Sequence, residues 1–416
     1  MTKSAPYPDN LPAARWNTFA PALRSPNFRL FWFAQSLSMV GTSLQVVAEG
    51  WLIYNMTQST FWLGMVSFIA LLPAIPISLM GGVLIDRVPR RKLILATQCG
   101  LMAQAAVFAV LGLTNRLQLW HIIILYFVFG ALLAIDHPAR RAFLVELVDR
   151  DKLANAVALN ATSFNVASVV GYALSGLLIA VIGAGGTMLI NAATYLAPIW
   201  ALATIRLPDV IPDMEGRPLR TAIWEGVVAM WRQPNIISVM ALLGVVGGLA
   251  WPVYSMMPAF AQDVLGTSAV GLGLLMASGA LGSVIGIGLV ARLGNHHRGR
   301  TLAAASMLVP LLVIAFATSR SVVVACVFMV ALGLVLLVLE SISITLVQVH
   351  TPDRVRGRVM SLFSQLHAGS TTAGNAFIGT VAVLVGLPVA LGLGGLAALL
   401  FALGLRVAVP SVRRLD

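Results

Sequence analysis

Twelve apolar runs, each about as long as a bilayer is thick, take up most of this 416-residue chain. They read as helical spans over residues 28–54, 60–84, 92–114, 118–137, 153–181, 184–205, 235–260, 267–291, 300–318, 322–349, 360–385 and 388–406. A helix needs about 20 apolar residues to cross the hydrocarbon core, and every run meets that length. Some connections are as short as Thr57-Gln58-Ser59 and Gly386-Leu387, which makes neighbouring helices pack antiparallel. Only 10% of the residues are charged and 59% are hydrophobic. Soluble domains carry about 25% charged residues, so a water-soluble fold of this size has too little with which to cover its surface. The expected fold class is an all-α integral membrane protein with twelve transmembrane helices.

The net charge of +12 has two readings, a nucleic-acid surface or a membrane topology. When the spans are followed in order, all of the 27 Lys and Arg residues except Arg116 and Arg320 fall on one side. The positive-inside rule makes that side cytoplasmic, with both termini there. The basicity is therefore topology, and no nucleic-acid partner is expected. Cys99 and Cys326 lie inside separate apolar runs and read as packing residues, not as a metal site or a disulfide. No His, Cys or carboxylate cluster has metal-ligand spacing, so neither a metal nor a cofactor is expected. Residues 1–26 lack the apolar core of a cleaved signal peptide and read as a cytoplasmic tail.

The longest interior connection, residues 206–234, opens polar and Pro-rich and then becomes a surface helix from Leu219 to Trp231. It divides the chain into a six-helix bundle over 27–205 and another over 235–408, with a second cytoplasmic tail over 409–416. Loops in matching positions look alike. His137-Pro138-Ala139-Arg140-Arg141 follows span four, and Thr351-Pro352-Asp353-Arg354-Val355-Arg356 follows span ten.

Between spans two and three lies Gly82-Val83-Leu84-Ile85-Asp86-Arg87-Val88-Pro89-Arg90-Arg91-Lys92. Any cytoplasmic hairpin collects basic residues. This one also sets an Asp beside an Arg and one turn after a Gly, which resembles the G-x-L-x-D-R-x-G-R-R/K signature of the major facilitator superfamily. Gly82, Leu84, Asp86, Arg87, Arg90 and Arg91 match it, and Pro89 stands where the signature has Gly. Further stretches narrow the resemblance: Asn27-Phe28-Arg29-Leu30-Phe31-Trp32, Gly50-Trp51-Leu52-Ile53-Tyr54, Asp136-His137-Pro138-Ala139-Arg140 with Glu146-Leu147-Val148, and the run from Pro352 to Leu362. Together they resemble the bacterial branch that contains the enterobactin exporter and the macrolide-efflux permeases. Members of that branch often carry Gly-Pro in span five where Gly171-Tyr172 stands here, and an Arg where Ser168 stands.

The resemblance implies a major facilitator fold, in which two pseudo-symmetric bundles of a monomer rock about a central cavity lined by spans one, four, seven and ten. It implies a multi-pass protein of the bacterial cytoplasmic (inner) membrane. The implied activity is proton-driven export of a bulky, partly apolar compound, siderophore or drug-like. The expected partners are then a small-molecule substrate, protons and the lipid bilayer.

Ionisable groups inside a bilayer are costly, and each is a functional candidate. Glu49 ends a polar stripe, Gln35-Ser38-Thr42-Gln45-Glu49, spaced along one helical face, which lines a water-filled cavity or contacts another helix. Glu340 lies near the middle of span ten, and with Ser343 is expected to face Glu49's helix across the cavity. Glu49 and Glu340 are candidates for moving a proton, with a structural, hydrogen-bonded Glu as the alternative. His367 shares a stripe with Ser364, Thr371 and Asn375 and reads as a pH-responsive group or as a packing residue. Trp251, Tyr254 and Ser255 beside Pro252 and Pro258 suit a ring-bearing substrate or an interfacial aromatic belt. Asn160, Asn165, Ser168 and Tyr172 are polar candidates in span five. Gly282-xxx-Gly286 in span eight and Gly171-xxx-Ser175 in span five permit close helix approach, and in the resembled fold these two spans meet at the seam.

Two other readings stay open: a lipid or lysolipid flippase independent of the proton gradient, and a non-transporting membrane partner protein. No Ser/His/Asp set, zinc motif or phosphate-binding loop appears, so an enzyme is not expected. Asp86 at the end of span two is placed to hold the cytoplasmic side shut in one state. Arg87, Arg90, Arg91, Asp136, Arg140, Glu146, Arg354 and Arg358 belong to the same cytoplasmic charge set. Asp86→Asn is expected to slow transport with little loss of substrate binding; unchanged turnover in proteoliposomes would refute the latch.

Overall fold

The structure is a computed structural model that describes residues 20–205, 228, 230, 233–294 and 297–409, without the side chains of 75, 78–87 and 354. Apart from Val228 and Met230, which are helical, the surface helix expected over 219–231 falls outside the described residues, as do the surroundings of Gly82 and the side chains of Asp86, Arg87 and Arg354.

Apolar surroundings offer no water to unpaired amides, so a chain of this composition satisfies its backbone internally as helices. In order these are α1 (Pro26–Thr57), α2 (Thr60–Arg87), α3 (Arg90–Leu113), α4 (Leu119–Leu147), α5 (Leu153–Thr194) and α6 (Leu196–Thr204). Then follow α7 (Pro234–Leu242), α8 (Ala269–Leu293), α9 (Arg298–Thr318), α10 (Val322–His350), α11 (Asp353–Val385) and α12 (Leu387–Ala408). Prolines in the first turns of α1, α7 and α12 sit where the missing N–H has no helical partner to lose. Beyond α7 the chain stays helical but uneven. Two π turns, Leu243–Gly247 and Phe260–Val264, enclose short α turns that begin at Gly248, Pro252 and Met257.

Ten helical stretches among the described residues are long and apolar enough to cross a membrane, and Thr60–Ala74 in α2 is a shorter apolar helix. One of the ten, Arg150–Thr204, runs for 55 residues. As a straight rod it would extend about 80 Å, far more than a hydrocarbon core of about 30 Å. It is broken at Gly183, whose φ of 73° and ψ of 170° lie in a region open to glycine and strained for other residues. The break falls between the spans read as 153–181 and 184–205.

Helices α1–α6 pack among themselves, as do the stretches from α7 to α12. The two groups meet along α5–α8 and α2–α11, and the turns over 252–259 also touch α1 and α2. Shifting each helix number by six exchanges the two seam pairs, as a pseudo-two-fold axis requires. The α5–α8 approach is made by Gly176 and Gly273: a Cβ on Gly176 would stand 2.6 Å from the Ala269 carbonyl oxygen. The glycines singled out in the sequence serve other pairs. Gly171 lies against Val40 and Ser43 of α1, and Gly282 and Gly286 lie against Val330 and Leu334 of α10. Spans five and eight do meet, but through a different pair of glycines.

A Cβ on Gly282 would fall 2.0 Å from the Val330 carbonyl oxygen, whereas one on Gly288 in the same helix meets nothing within 4 Å. Gly282→Val should therefore cost about 1–3 kcal/mol through overpacking. Gly288→Val should stay within about 0.5 kcal/mol of the parent, as surface changes do. Thermal midpoints in detergent separate the two, and equal midpoints would contradict this packing.

Candidate functional site

The polar stripe of α1 turns into the first group of helices. Gln35, Ser38, Gln45 and Glu49 are all buried, and Thr42 is half-buried with its hydroxyl donating to the Ser38 carbonyl at 3.0 Å. The Gln45 amide donates to Glu49 at 2.6 Å and to Gln104 of α3 at 3.3 Å, and its oxygen accepts from Asn191 of α5. Tyr126 of α4 sets its hydroxyl beside the Glu49 carboxyl. The stripe is thus a contact with neighbouring helices, and Glu49 at its end reaches a cavity. Gln104, Asn191 and Tyr126 were not among the sequence candidates. An uncharged amide inside an apolar run is the signal that could have found Gln104 and Asn191; Tyr126 carries no such mark.

A second cluster forms in the other group of helices. The Trp251 indole N–H donates to Glu340 at 2.9 Å, and His367 Nε2 lies 3.5 Å from the same carboxylate oxygen. The Trp251 ring stands 6.4 Å from the His367 ring and 5.1 Å from that of Tyr254. Three candidates read separately from the sequence therefore form one unit, and Trp251 is a donor to a carboxylate instead of an interfacial belt residue. Ser343 does not join them; it is fully buried and donates to the Leu339 carbonyl of its own helix at 2.6 Å. Asn165 is half-buried and donates to the Ala161 carbonyl at 3.0 Å, and Asn160 on the same helix is half-buried too.

Asn375 joins the two groups. It accepts from Ser255 at 2.9 Å and donates to Ser67 of α2 at 3.3 Å. Nearby, Thr60 donates to the Gly379 carbonyl at 3.0 Å, and Tyr54 of α1 donates to Asp263 of the second π turn. These cross-links lie toward the end of the molecule away from the Arg-rich loops.

At the basic end a cavity of about 860 Å³ opens between α2, α4, α10 and α11, bounded by His137, Arg141, Gln348 and Ser364 among others. A deeper cavity of about 210 Å³ is lined by Glu49, Tyr126, Tyr254 and Ser255, and both cavities touch Ser67 and Phe129. The basic end is also where the expected charge set gathers. Asp136, fully buried, pairs with Arg140 at 2.5 Å and accepts from Thr97 at 2.7 Å and Gln98 at 3.0 Å. A buried carboxylate needs such partners to offset its lost hydration. Arg90 pairs with Glu146 at 2.6 Å, and Arg91 donates to the Leu202 and Ala203 carbonyls at 2.6 and 3.0 Å. These bonds knit α3, α4 and α6 together within one group. Arg358, on α11, is half-buried. Among the described residues no cluster of three His, Cys, Asp or Glu side chains is arranged to hold a metal.

The arrangement is a hollow beside two helix groups, with an acid-centred cluster in each, and the fold that holds it is found in known proteins. Over 94% of this chain and 97% of the other, the fold matches a bacterial homologue of the human lysosomal transporter Spinster in an inward-facing state, with a TM-score of 0.68 at 16% identity. It also matches a POT family transporter in complex with 5-aminolevulinic acid, with a TM-score of 0.73 at 11% identity over 93% of this chain and 97% of the other. In sequence the chain is 29% identical to the enterobactin exporter EntS of Salmonella typhimurium over 395 residues, 94% of each protein. It is 25% identical to the multidrug efflux pump Tap of Mycolicibacterium fortuitum over 404 residues, 93% of this chain and 96% of the relative. It is 23% identical to macrolide efflux protein A of Streptococcus pyogenes over 287 residues, 67% of this chain and 70% of the relative. A model of the transmembrane secretion effector family matches residues 16–416. With a transporter fold and exporters as its relatives, the chain belongs to the transmembrane secretion effector family of the major facilitator superfamily.

Proposed function

We propose that the chain is a proton-coupled exporter of a bulky, partly hydrophobic small molecule, working by alternating access in the bacterial cytoplasmic membrane. In this reading it crosses the bilayer twelve times: the ten long apolar stretches, one of them split at Gly183, together with α2. The basic end is cytoplasmic and carries both termini, as the positive-inside rule asks. The protein acts as a monomer.

The observation that carries this reading is the one-sided hollow. About 860 Å³ opens between the helix groups at the basic end, while Tyr54–Asp263, Thr60–Gly379 and Ser255–Asn375–Ser67 link the groups farther along. Such a state admits substrate from the cytoplasm and holds the exit shut. Sliding at the glycine contacts of α5 and α8 would open the exit and close the entrance. The siderophore, macrolide and multidrug specificities named for the relatives all fit a cavity of this size and mixed lining.

Proton coupling is assigned first to Glu340 and His367. A carboxyl and an imidazole 3.5 Å apart can share one proton, and the Trp251 N–H holds the carboxylate in place. Glu49 is the second candidate. Around Glu49 the cavity is offered a ring face by Tyr254 and a hydroxyl by Ser255; Trp251 packs on Tyr254, Asn375 holds Ser255, and Gln45 acts through Glu49.

Inverted membrane vesicles loaded with siderophore- and drug-like compounds test this directly. Uptake should be lost when the proton gradient is collapsed; indifference to the gradient would replace this reading with a facilitator or a lipid flippase. Glu340→Gln should abolish gradient-driven accumulation while leaving downhill exchange. If Glu340→Gln and Glu49→Gln both keep full gradient-driven transport, the proton assignment is wrong.

A further inference from the structure

Four residues at four-residue intervals along α4, Phe129, Leu133, His137 and Arg141, all border the large cavity at the basic end. That spacing puts them on one face of the helix, over a rise of about 18 Å. The face changes character along this length, from aromatic and aliphatic at the inner end to basic at the mouth. Ala70 and Leu71 of α2 continue the apolar part, and Gln348, Ser361 and Ser364 of the second helix group add uncharged polar atoms. Among the described residues that line the cavity, none is an acid.

The acids near the mouth are committed to other bases. Asp136 holds Arg140 at 2.5 Å, Glu146 holds Arg90 at 2.6 Å, Asp149 holds Lys152 at 2.7 Å, and Asp353 holds Arg356. Arg141 is exposed at the cavity wall and has no ion-pair or hydrogen-bond partner among the described residues. Asp136–Arg140 and His137–Arg141 are successive couples on α4, turned about 100° from one another around the helix. The first is held within its helix group and cancels its own charge; the second faces the hollow and carries a charge that no lining acid cancels. A guanidinium presents a fork of donors that fits two oxygens of a carboxylate or sulfonate. An imidazole keeps an N–H donor whether neutral or protonated, so His137 adds a second point of attachment beside it.

We propose that this face of α4 is the loading site for an amphiphilic anion, a carboxylate or sulfonate on an aromatic or aliphatic body. Arg141 and His137 hold the acid group at the mouth, and the body lies along Leu133 toward Phe129. A cleft with apolar walls and charge of one sign gathers ions of the other sign and repels its own. The substrate class is thereby narrowed from bulky and partly hydrophobic to acidic. The proposal rests on reading the hollow as the substrate route, but it requires neither a proton gradient nor a direction of transport.

Calorimetric binding of biphenylcarboxylate, its neutral amide and biphenylmethylammonium to the purified full chain tests it without transport. The chain is held in phosphatidylcholine nanodiscs, with empty discs as the blank. The parent should bind the carboxylate about tenfold or more tighter than the amide, as charge-assisted hydrogen bonds do, and the ammonium ion weakest. Arg141→Gln should bring the ratio of carboxylate to amide affinity close to one. Arg141→Lys should keep part of that ratio, since it retains the charge and loses the fork, and it serves as the second variant if the first fails to fold. Phe129→Ala should weaken carboxylate and amide alike and leave their ratio unchanged. Arg116→Gln, an exposed base at the other end of the molecule, is the control for the loss of one positive charge. A parent that binds no carboxylate, or binds the amide or the ammonium ion as tightly, overturns the site. A ratio unaltered in Arg141→Gln overturns the role of Arg141, and full affinity in Phe129→Ala overturns the orientation. Gradient-independent uptake in the vesicle assay would defeat the proton coupling and leave these binding results standing.

Discussion

Everything in this molecule hangs on backbone meeting backbone at two seams. Helices with no apolar driving force between them in lipid are held by close packing, and small residues set how close they come. Gly176 against Gly273 does this between α5 and α8, and Gly64 against the Asn375 backbone does it between α2 and α11. Both seams join the two helix groups; the α5–α8 seam is glycine on glycine, and the α2–α11 seam also carries the Thr60–Gly379 and Asn375–Ser67 hydrogen bonds.

The polar groups divide along the same line. Within each group they form knots: Gln45, Glu49, Gln104 and Asn191 on one side, Trp251, Glu340 and His367 on the other. Between the groups they form single links, such as Asn375 to Ser67 and Tyr54 to Asp263. Knots inside a body stiffen it, because several hydrogen bonds must break together. Single links between bodies can be exchanged one at a time. At the basic end the same distinction appears, since Asp136–Arg140 and Arg90–Glu146 each brace one group internally.

Much of this was legible in the residues themselves. The apolar runs gave the long helices because a span must satisfy its own backbone, and the break at Gly183 falls where a residue free of Cβ strain stands between two runs. Glu49, Glu340 and His367 were visible because charge inside a greasy segment is costly. Their pairing was not visible. Glu340 and His367 lie on neighbouring helices at a distance that no helical periodicity encodes, and Gln104 and Asn191 reach Gln45 from sequence separations of 59 and 146 residues. The glycines misled for a similar reason. Gly171 was singled out on α5, and only the packing says that it serves α1 while Gly176, five residues on, serves α8.

The π turns at Leu243–Gly247 and Phe260–Val264 carry a consequence for how this stretch is mapped. Each π turn inserts one residue without advancing the helix by a normal step, so the wheel slips by about 100°. Residues before Leu243 and after Val264 are therefore out of phase with those between them, and Trp251 and Tyr254 point where an unbroken wheel would not put them. A cysteine or tryptophan scan across 234–264 plotted on an ideal helix would assign the wrong face to about half of its positions. Three separate wheels, reset at each slip, describe the same stretch correctly.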